Sequence, residues 1–185
     1  AGIAHTRWAT HGPPTERNAH PHTDASQTVW IVHNGIIENH AELREALMRK
    51  GIVFSSDTDT EALAQLIGTY YTKRTTLERA VKKALRHIRG TYGLAAMSER
   101  EPGKLVVARF GSPLMLGIGK NEYYVASDAA PLLSRTRKVV YLEDGEMAVL
   151  SEDGYVVRDI EQKEIAKPVE TLDGMLALGV VNVVG

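Results

Sequence analysis

The apolar residues of this chain change period once, and that change limits the fold more than any other feature. Between Asn39 and Gly90 three stretches repeat at helical spacing: Leu43 and Leu47; Leu63, Leu66, Ile67 and Tyr70; and Leu77, Val81, Leu85 and Ile88. Each follows the same start signal, Asn39-x-x-Glu42, Thr58-x-x-Glu61 and Thr75-x-x-Glu78, a side-chain acceptor with a carboxylate three residues on. Gly51 and Gly90 close the first and third helices. From Tyr92 onward the pattern is one of short strands: Tyr92–Met97, Lys104–Arg109, Leu114–Ile118, Tyr123–Ser127, Val139–Leu142, Met147–Leu150 and Tyr155–Arg158. Upstream of the helices, Val29–Val32 reads as a buried strand. Glu143-Asp144-Gly145 and Asp153-Gly154 predict hairpin turns between the strands that flank them. Helices segregated from an antiparallel meander predict an α+β fold.

No linker or repeat interrupts the pattern before about Ala166, and 185 residues suit one domain. A formal net charge of −1 gives no bulk attraction to nucleic acid or to a membrane surface. The longest apolar run, Met175 to Gly185, is well short of the roughly 20 residues a spanning helix requires. With no charged-then-apolar leader, the expectation is a soluble, cytoplasmic protein. The sequence contains no cysteine, so it offers neither a disulfide, nor a thiolate metal site, nor a cysteine nucleophile.

Four groups of residues are able to do chemistry. Six of the seven histidines (His5, His11, His20, His22, His33, His40) precede residue 41, and His20-Pro21-His22 with Asp24 offers imidazole and carboxylate ligands. Histidine is also an ordinary hydrogen-bonding core residue, and no H-E-x-x-H motif accompanies the cluster. Thr6-Arg7-Trp8-Ala9-Thr10-His11-Gly12 pairs a guanidinium fork suited to a carboxylate with an aromatic able to close over a small ligand; a surface ion pair beside a packed aromatic is the plainer alternative. Ser56-Asp57-Thr58-Asp59-Thr60-Glu61 carries three carboxylates at a helix start. Capping and the helix dipole account for Thr58 and Glu61, leaving Asp57 or Asp59 to face a cation such as an amino group. Asn34-Gly35, after Val29–Val32, is either a strand-to-helix turn or a pair of oxyanion donors, the Asn34 amide and the Gly35 N–H.

In this order and spacing, HTRWATHG (His5–Gly12), NAHPH (Asn18–His22), VHNGIIEN (Val32–Asn39) and SDTDTE (Ser56–Glu61) resemble the glutaminase domain of the glucosamine-6-phosphate synthase family. These are the isomerizing glutamine–fructose-6-phosphate aminotransferases, a branch of the class II glutamine amidotransferases. The likeness continues through RGTYGLAAMS, ARFGSPLMLGIG, YYVASD and YLEDGEMAVL, covering about residues 2–155. It implies an N-terminal-nucleophile hydrolase fold, an αββα sandwich. It also implies an enzyme that hydrolyses glutamine and passes ammonia to fructose 6-phosphate, with no cofactor or metal and a homodimeric intact form.

Residue by residue, the resemblance makes Arg7 the binder of the glutamine α-carboxylate, with Thr10 and His11 beside it, and Trp8 the closing residue of a mobile loop. Asn34 and Gly35 match the oxyanion donors, and Asp59 matches the carboxylate that holds the α-amino group. Two departures accompany it. The family's nucleophile is an N-terminal cysteine whose own α-amine is the base. Its absence predicts a domain truncated at its N-terminus, residues 1–165, that is inactive alone. Residues 166–185 do not look like the family's linker and sugar-isomerase domains, and form a tail of unassigned role. The rivals are the glutaminase domain of another class II amidotransferase, a glutamine-sensing module, and a metal-binding protein built on the histidines.

Overall fold

The computed structural model describes residues 1–6, 12–159, 161, 163–172 and 183–184. In chain order the strands and helices are β1 (His22–Thr23), β2 (Val29–Ile37), α1 (His40–Met48), α2 (Asp59–Tyr70), α3 (Leu77–Leu85), β3 (Gly90–Ser98), β4 (Leu105–Phe110), β5 (Met115–Ile118), β6 (Tyr123–Ala126), β7 (Lys138–Tyr141), β8 (Glu146–Ser151), β9 (Gly154–Asp159), β10 (Glu170–Thr171) and β11 (Val183–Val184). They form two sheets, one of six strands in the order β1-β2-β3-β4-β8-β9 and one of five in the order β10-β7-β5-β6-β11. Every pairing between strands is antiparallel.

Side-chain alternation along the strands of the six-stranded sheet builds two separate cores. Val29, Ile31 and Ile37 of β2, Leu94 and Ala96 of β3, and Val106 and Ala108 of β4 pack beneath the three helices. The intervening Val32, Ala95, Leu105 and Val107 meet Leu116, Val125 and Val140 of the second sheet. On the far side of that sheet, Met115, Ala126 and Val139 are covered by Leu132, in a 3-10 turn at Leu132–Ser134, and by Leu172. The result is a helix layer on two stacked sheets, an α+β sandwich as expected; among the described residues the outer face of the second sheet carries no α-helix, so the second helix layer of an αββα arrangement is not seen there.

The central helix, α2, is buried from Asp59 through Ile67, because α1 and α3 flank it and the sheet lies beneath it. A single apolar stripe therefore describes α1 and α3 but not α2. The start signals also hold unevenly. Thr58 caps α2, its side chain accepting from Glu61 N–H at 3.1 Å. The third cap is Thr76, which accepts from Arg79 N–H, one residue beyond the expected Thr75. Asn39 does not cap α1. Its amide instead donates to His87 O at 2.8 Å and accepts from Arg89 N–H at 2.9 Å, joining α1 to the chain after α3. Gly51 does close α1, with its N–H on Met48 O and that of Ile52 on Leu47 O, while α3 ends at Leu85, before Gly90.

All eight expected strands are present, but the turn at Glu143-Asp144-Gly145 does not make a hairpin. β7 pairs with β5 and β10, whereas β8 pairs with β4 and β9, so this turn carries the chain from one sheet to the other. Its position is fixed by Asp144, which accepts from Gly111 N–H at 2.8 Å, and by Gly145 N–H on Arg109 O. The turn at Asp153-Gly154 is a true hairpin between β8 and β9. Beyond residue 165, Glu170 and Thr171 extend the second sheet beside β7, and Lys167 forms a partly buried ion pair with Glu146 at 3.1 Å.

Candidate functional site

β2 continues past Val32 and carries Asn34-Gly35 within it, not at its end. Asn34 lies opposite Gly93 of β3, and Gly35 opposite Tyr92. Gly35 has φ +136°, and a Cβ there would overlap the backbone carbonyl of Thr91. Only glycine fits, which answers why the pair is Asn-Gly although no hairpin turn follows. By alternation Asn34 shares a face with Val32, the face that looks between the sheets.

The other edge of β2 is open over this stretch among the described strands, because β1 reaches only Trp30 and Ile31. Asp59, the first residue of α2, sits at that edge. Its Oδ2 accepts from Ile37 N–H at 2.8 Å and its Oδ1 from Thr60 N–H at 3.0 Å. N–H groups two residues apart on a strand face the same edge, so the Gly35 N–H is directed to the side that Asp59 occupies. The helix start thus brings a buried carboxylate, 4% exposed, alongside the Asn34-Gly35 backbone.

A second carboxylate holds the approach to α2. Glu61 accepts from Ser55 N–H at 2.8 Å, Ser56 N–H at 2.6 Å, and the hydroxyls of Ser55 and Ser56 at 3.0 and 2.6 Å. Burial pushes its pKa up, but the Ser56 hydroxyl, the two backbone N–H groups and the Ser55 hydroxyl together outweigh burial and hold it below its ordinary value of 4.5. Glu61 therefore remains an acceptor for the 55–56 backbone and does not reach back to the cap as in a simple capping box. Asp57 turns outward and pairs with Arg17. Of the two aspartates, the outer one meets a cation of the chain itself and the inner one meets backbone N–H groups.

Asn18, fully buried, binds Asp57 N–H through Oδ1 at 2.9 Å and donates Nδ2 to Pro13 O at 2.9 Å. It ties the segment after Gly12 to the approach of α2. Neither Arg17 nor Asn18 had an assigned role from sequence; the only signal was Asn18's place at the head of NAHPH. Arg7, Trp8, Thr10 and His11 lie outside the described residues.

The histidines are engaged with threonines of α2 and its cap. His20 Nε2 and His33 Nδ1 both reach Thr60 Oγ1, at 3.1 and 3.0 Å, and His22 Nε2 reaches Thr58 Oγ1 at 2.9 Å. The His5 and His20 rings lie 4.4 Å apart and those of His20 and His22 5.1 Å apart. Among the described residues, no three His, Asp or Glu side chains converge in a way that could hold a metal ion. Nor is any helix among them long and apolar enough to cross a membrane.

Residues 5–134 match the model of a family described as glutamine amidotransferase domain. The chain belongs to this glutamine amidotransferase domain family. Relatives named glutamine–fructose-6-phosphate aminotransferase (isomerizing) are 55% identical over 93% of the chain in Chlorobaculum tepidum and 51% identical over 93% in Methanothermobacter thermautotrophicus. The chain spans only 28% and 29% of the length of these two relatives. Among solved structures, the glutamine phosphoribosylpyrophosphate amidotransferase of B. subtilis, complexed with ADP and GMP, superposes with a TM-score of 0.70 at 26% identity. That match covers 86% of this chain and 35% of the other. The two stacked sheets are thus shared with a more distant amidotransferase.

Proposed function

We propose that this sequence is the glutaminase portion of an isomerizing glutamine–fructose-6-phosphate aminotransferase. One observation carries the choice of acceptor. Identity to enzymes of that name reaches 55%, against 26% to the phosphoribosylpyrophosphate enzyme that shares the fold. Residues 1–165 make up the glutaminase part, followed by a tail, 166–185, of unassigned role, of which Glu170–Thr171 and Val183–Val184 pair at the edges of the second sheet. The enzyme is cytoplasmic.

Hydrolysis of the glutamine side-chain amide then runs as follows. A cysteine thiolate, absent from this sequence, attacks the amide carbon, and the carbonyl electrons move onto oxygen. The Asn34 amide and the Gly35 N–H donate to that oxyanion. Collapse of the tetrahedral intermediate, with the proton taken from the thiol by the cysteine's own α-amine passed to the departing nitrogen, expels ammonia and leaves a glutamyl thioester, which water hydrolyses to glutamate and the free thiol. Asp59 holds the α-ammonium group and Arg7 the α-carboxylate, with Thr10 and His11 beside it and Trp8 closing the loop. The placement of Asp59 beside the Asn34-Gly35 backbone supports this division, since it puts a charge-specific anchor next to the oxyanion donors.

The test is glutamate release from glutamine by the full-length protein carrying this sequence. Turnover that rises on addition of fructose 6-phosphate, and not of phosphoribosyl pyrophosphate, is the expected result; the reverse preference assigns the chain to the other branch. The 185-residue chain alone should release no glutamate, having no thiol nucleophile.

A further inference from the structure

We propose that Thr60 and His33 form a positioning relay that sets the Asn34-Gly35 backbone from the first turn of α2. The inference rests on the reading of Asn34 and Gly35 as oxyanion donors. The relay joins residues from four separate stretches of sequence, and its two central members are buried, Thr60 at 1% exposure and His33 at 3%.

Elementary hydrogen-bond chemistry fixes its direction. His33 Nε2 lies 3.2 Å from Thr91 O, and a carbonyl can only accept, so Nε2 carries the proton. In neutral His33 the other nitrogen, Nδ1, is then an acceptor and takes the Thr60 hydroxyl proton at 3.0 Å. Thr60 has one hydroxyl proton and has given it to His33. His20 Nε2, 3.1 Å from the same oxygen, must therefore donate to it. The order is His20 N–H to Thr60, Thr60 O–H to His33, His33 N–H to Thr91.

Thr91 is where the relay meets the site. Its carbonyl binds His33, its side-chain oxygen accepts from Ile36 N–H at 3.2 Å, and its carbonyl stands where a Cβ of Gly35 would be. Thr91 thus clasps residues on both sides of Asn34-Gly35. Its carbonyl is held from the helix side by His33 and therefore by Thr60. Asp59 precedes Thr60 directly and binds Ile37, so one helix turn grips the strand on either side of the donor pair. Donor placement matters steeply, since a displacement of about 1 Å can cost on the order of 100-fold in rate.

The experiment uses the full-length enzyme and four variants. Thr60→Val, which keeps the shape and removes the hydroxyl, should lower kcat for glutamine hydrolysis on the order of 10-fold or more, with KM for glutamine nearly unchanged. Thr60→Ser should restore kcat, and His33→Ala should behave as Thr60→Val does. Asn34→Ala tests the underlying reading separately. If Asn34→Ala lowers kcat and Thr60→Val leaves it intact, the relay is overturned and the oxyanion reading stands; if Asn34→Ala has no effect, the reading itself fails. Imidazole 15N shifts of the unmodified protein give a measurement free of any folding defect. His33 should be neutral with its proton on Nε2 near pH 7, and a proton on Nδ1 overturns the relay.

Discussion

Asp59 Oδ2 accepts the backbone N–H of Ile37 at 2.8 Å, so the first residue of the central helix is hydrogen-bonded to the strand that carries Asn34-Gly35. The proposed function adds a second task, holding the substrate's ammonium group, and two substitutions separate the two. Asp59→Asn keeps an oxygen for Ile37 but removes the charge that would hold an ammonium group. Glutamine KM should rise on the order of 10- to 100-fold, from about 1.5–3 kcal/mol for a charged hydrogen bond, with little loss of stability. Asp59→Ala also leaves Ile37 N–H buried without this partner, and its unfolding free energy should fall by a further ~1–3 kcal/mol in denaturant titration. Equal KM values for Asp59→Asn and the unmodified enzyme would remove Asp59 from the substrate site.

Gly35 and Gly51 both have positive φ, +136° and +84°, but differ in surroundings. A methyl group at Gly51 meets nothing within 4 Å, while one at Gly35 runs into Thr91 O. Gly51→Ala should therefore cost only the backbone strain, about 1–2 kcal/mol. Gly35→Ala adds a backbone overlap and should cost ~3 kcal/mol or more, and thermal unfolding of the two variants compares them directly.

At Asn39 a good helix-capping residue should make a poor substitute. Asn39→Ser, nearly neutral at an ordinary N-cap, removes the links to His87 O and Arg89 N–H and should destabilise by about 1–3 kcal/mol. Thr58→Ser, at a true cap, should change stability by no more than ~0.5 kcal/mol. Similar small effects at both positions would mean that Asn39 acts as a cap after all.

Glu61 has a folded pKa below 4.5, and linkage gives the sign of its effect. As pH falls through 4.5 the unfolded chain takes up a proton at Glu61 while the folded chain does not, so stability is present above that value and lost below it. Glu61→Gln should flatten the fall in stability between roughly pH 5 and pH 3. A pH profile in that range parallel to that of the unmodified protein would show that Glu61 contributes nothing to acid sensitivity.

What could be read from sequence divides along the range of the interactions involved. Helix stripes such as Leu77, Val81 and Leu85, and eight strands, are set by local periodicity and were legible. The Glu143–Gly145 turn was not, because turn chemistry is local while the sheet to which β8 belongs depends on its pairing with β4. β1 and β10, two residues each, are too short to show a period. Asn34, Gly35 and Asp59 stood out through motif resemblance. The partners that fix them, Ile37 N–H, Thr91, Thr60 and His33, are joined across 22 to 58 residues of chain and have no local signature. Asn39 shows the same limit, since its capping pattern was present and a contact 48 residues away prevailed.

Transfer of glutamine nitrogen to a sugar phosphate, the proposed activity of the full-length protein, can be followed by labelling that nitrogen. The full-length protein carrying this sequence is given glutamine labelled with 15N at the side-chain amide, together with fructose 6-phosphate, and the products are resolved by mass spectrometry. One 15N should appear in glucosamine 6-phosphate for each glutamate formed, with both products lost in Asn34→Ala. Glutamate formed while fructose 6-phosphate remains unaminated, or glucosamine 6-phosphate without label, would contradict it.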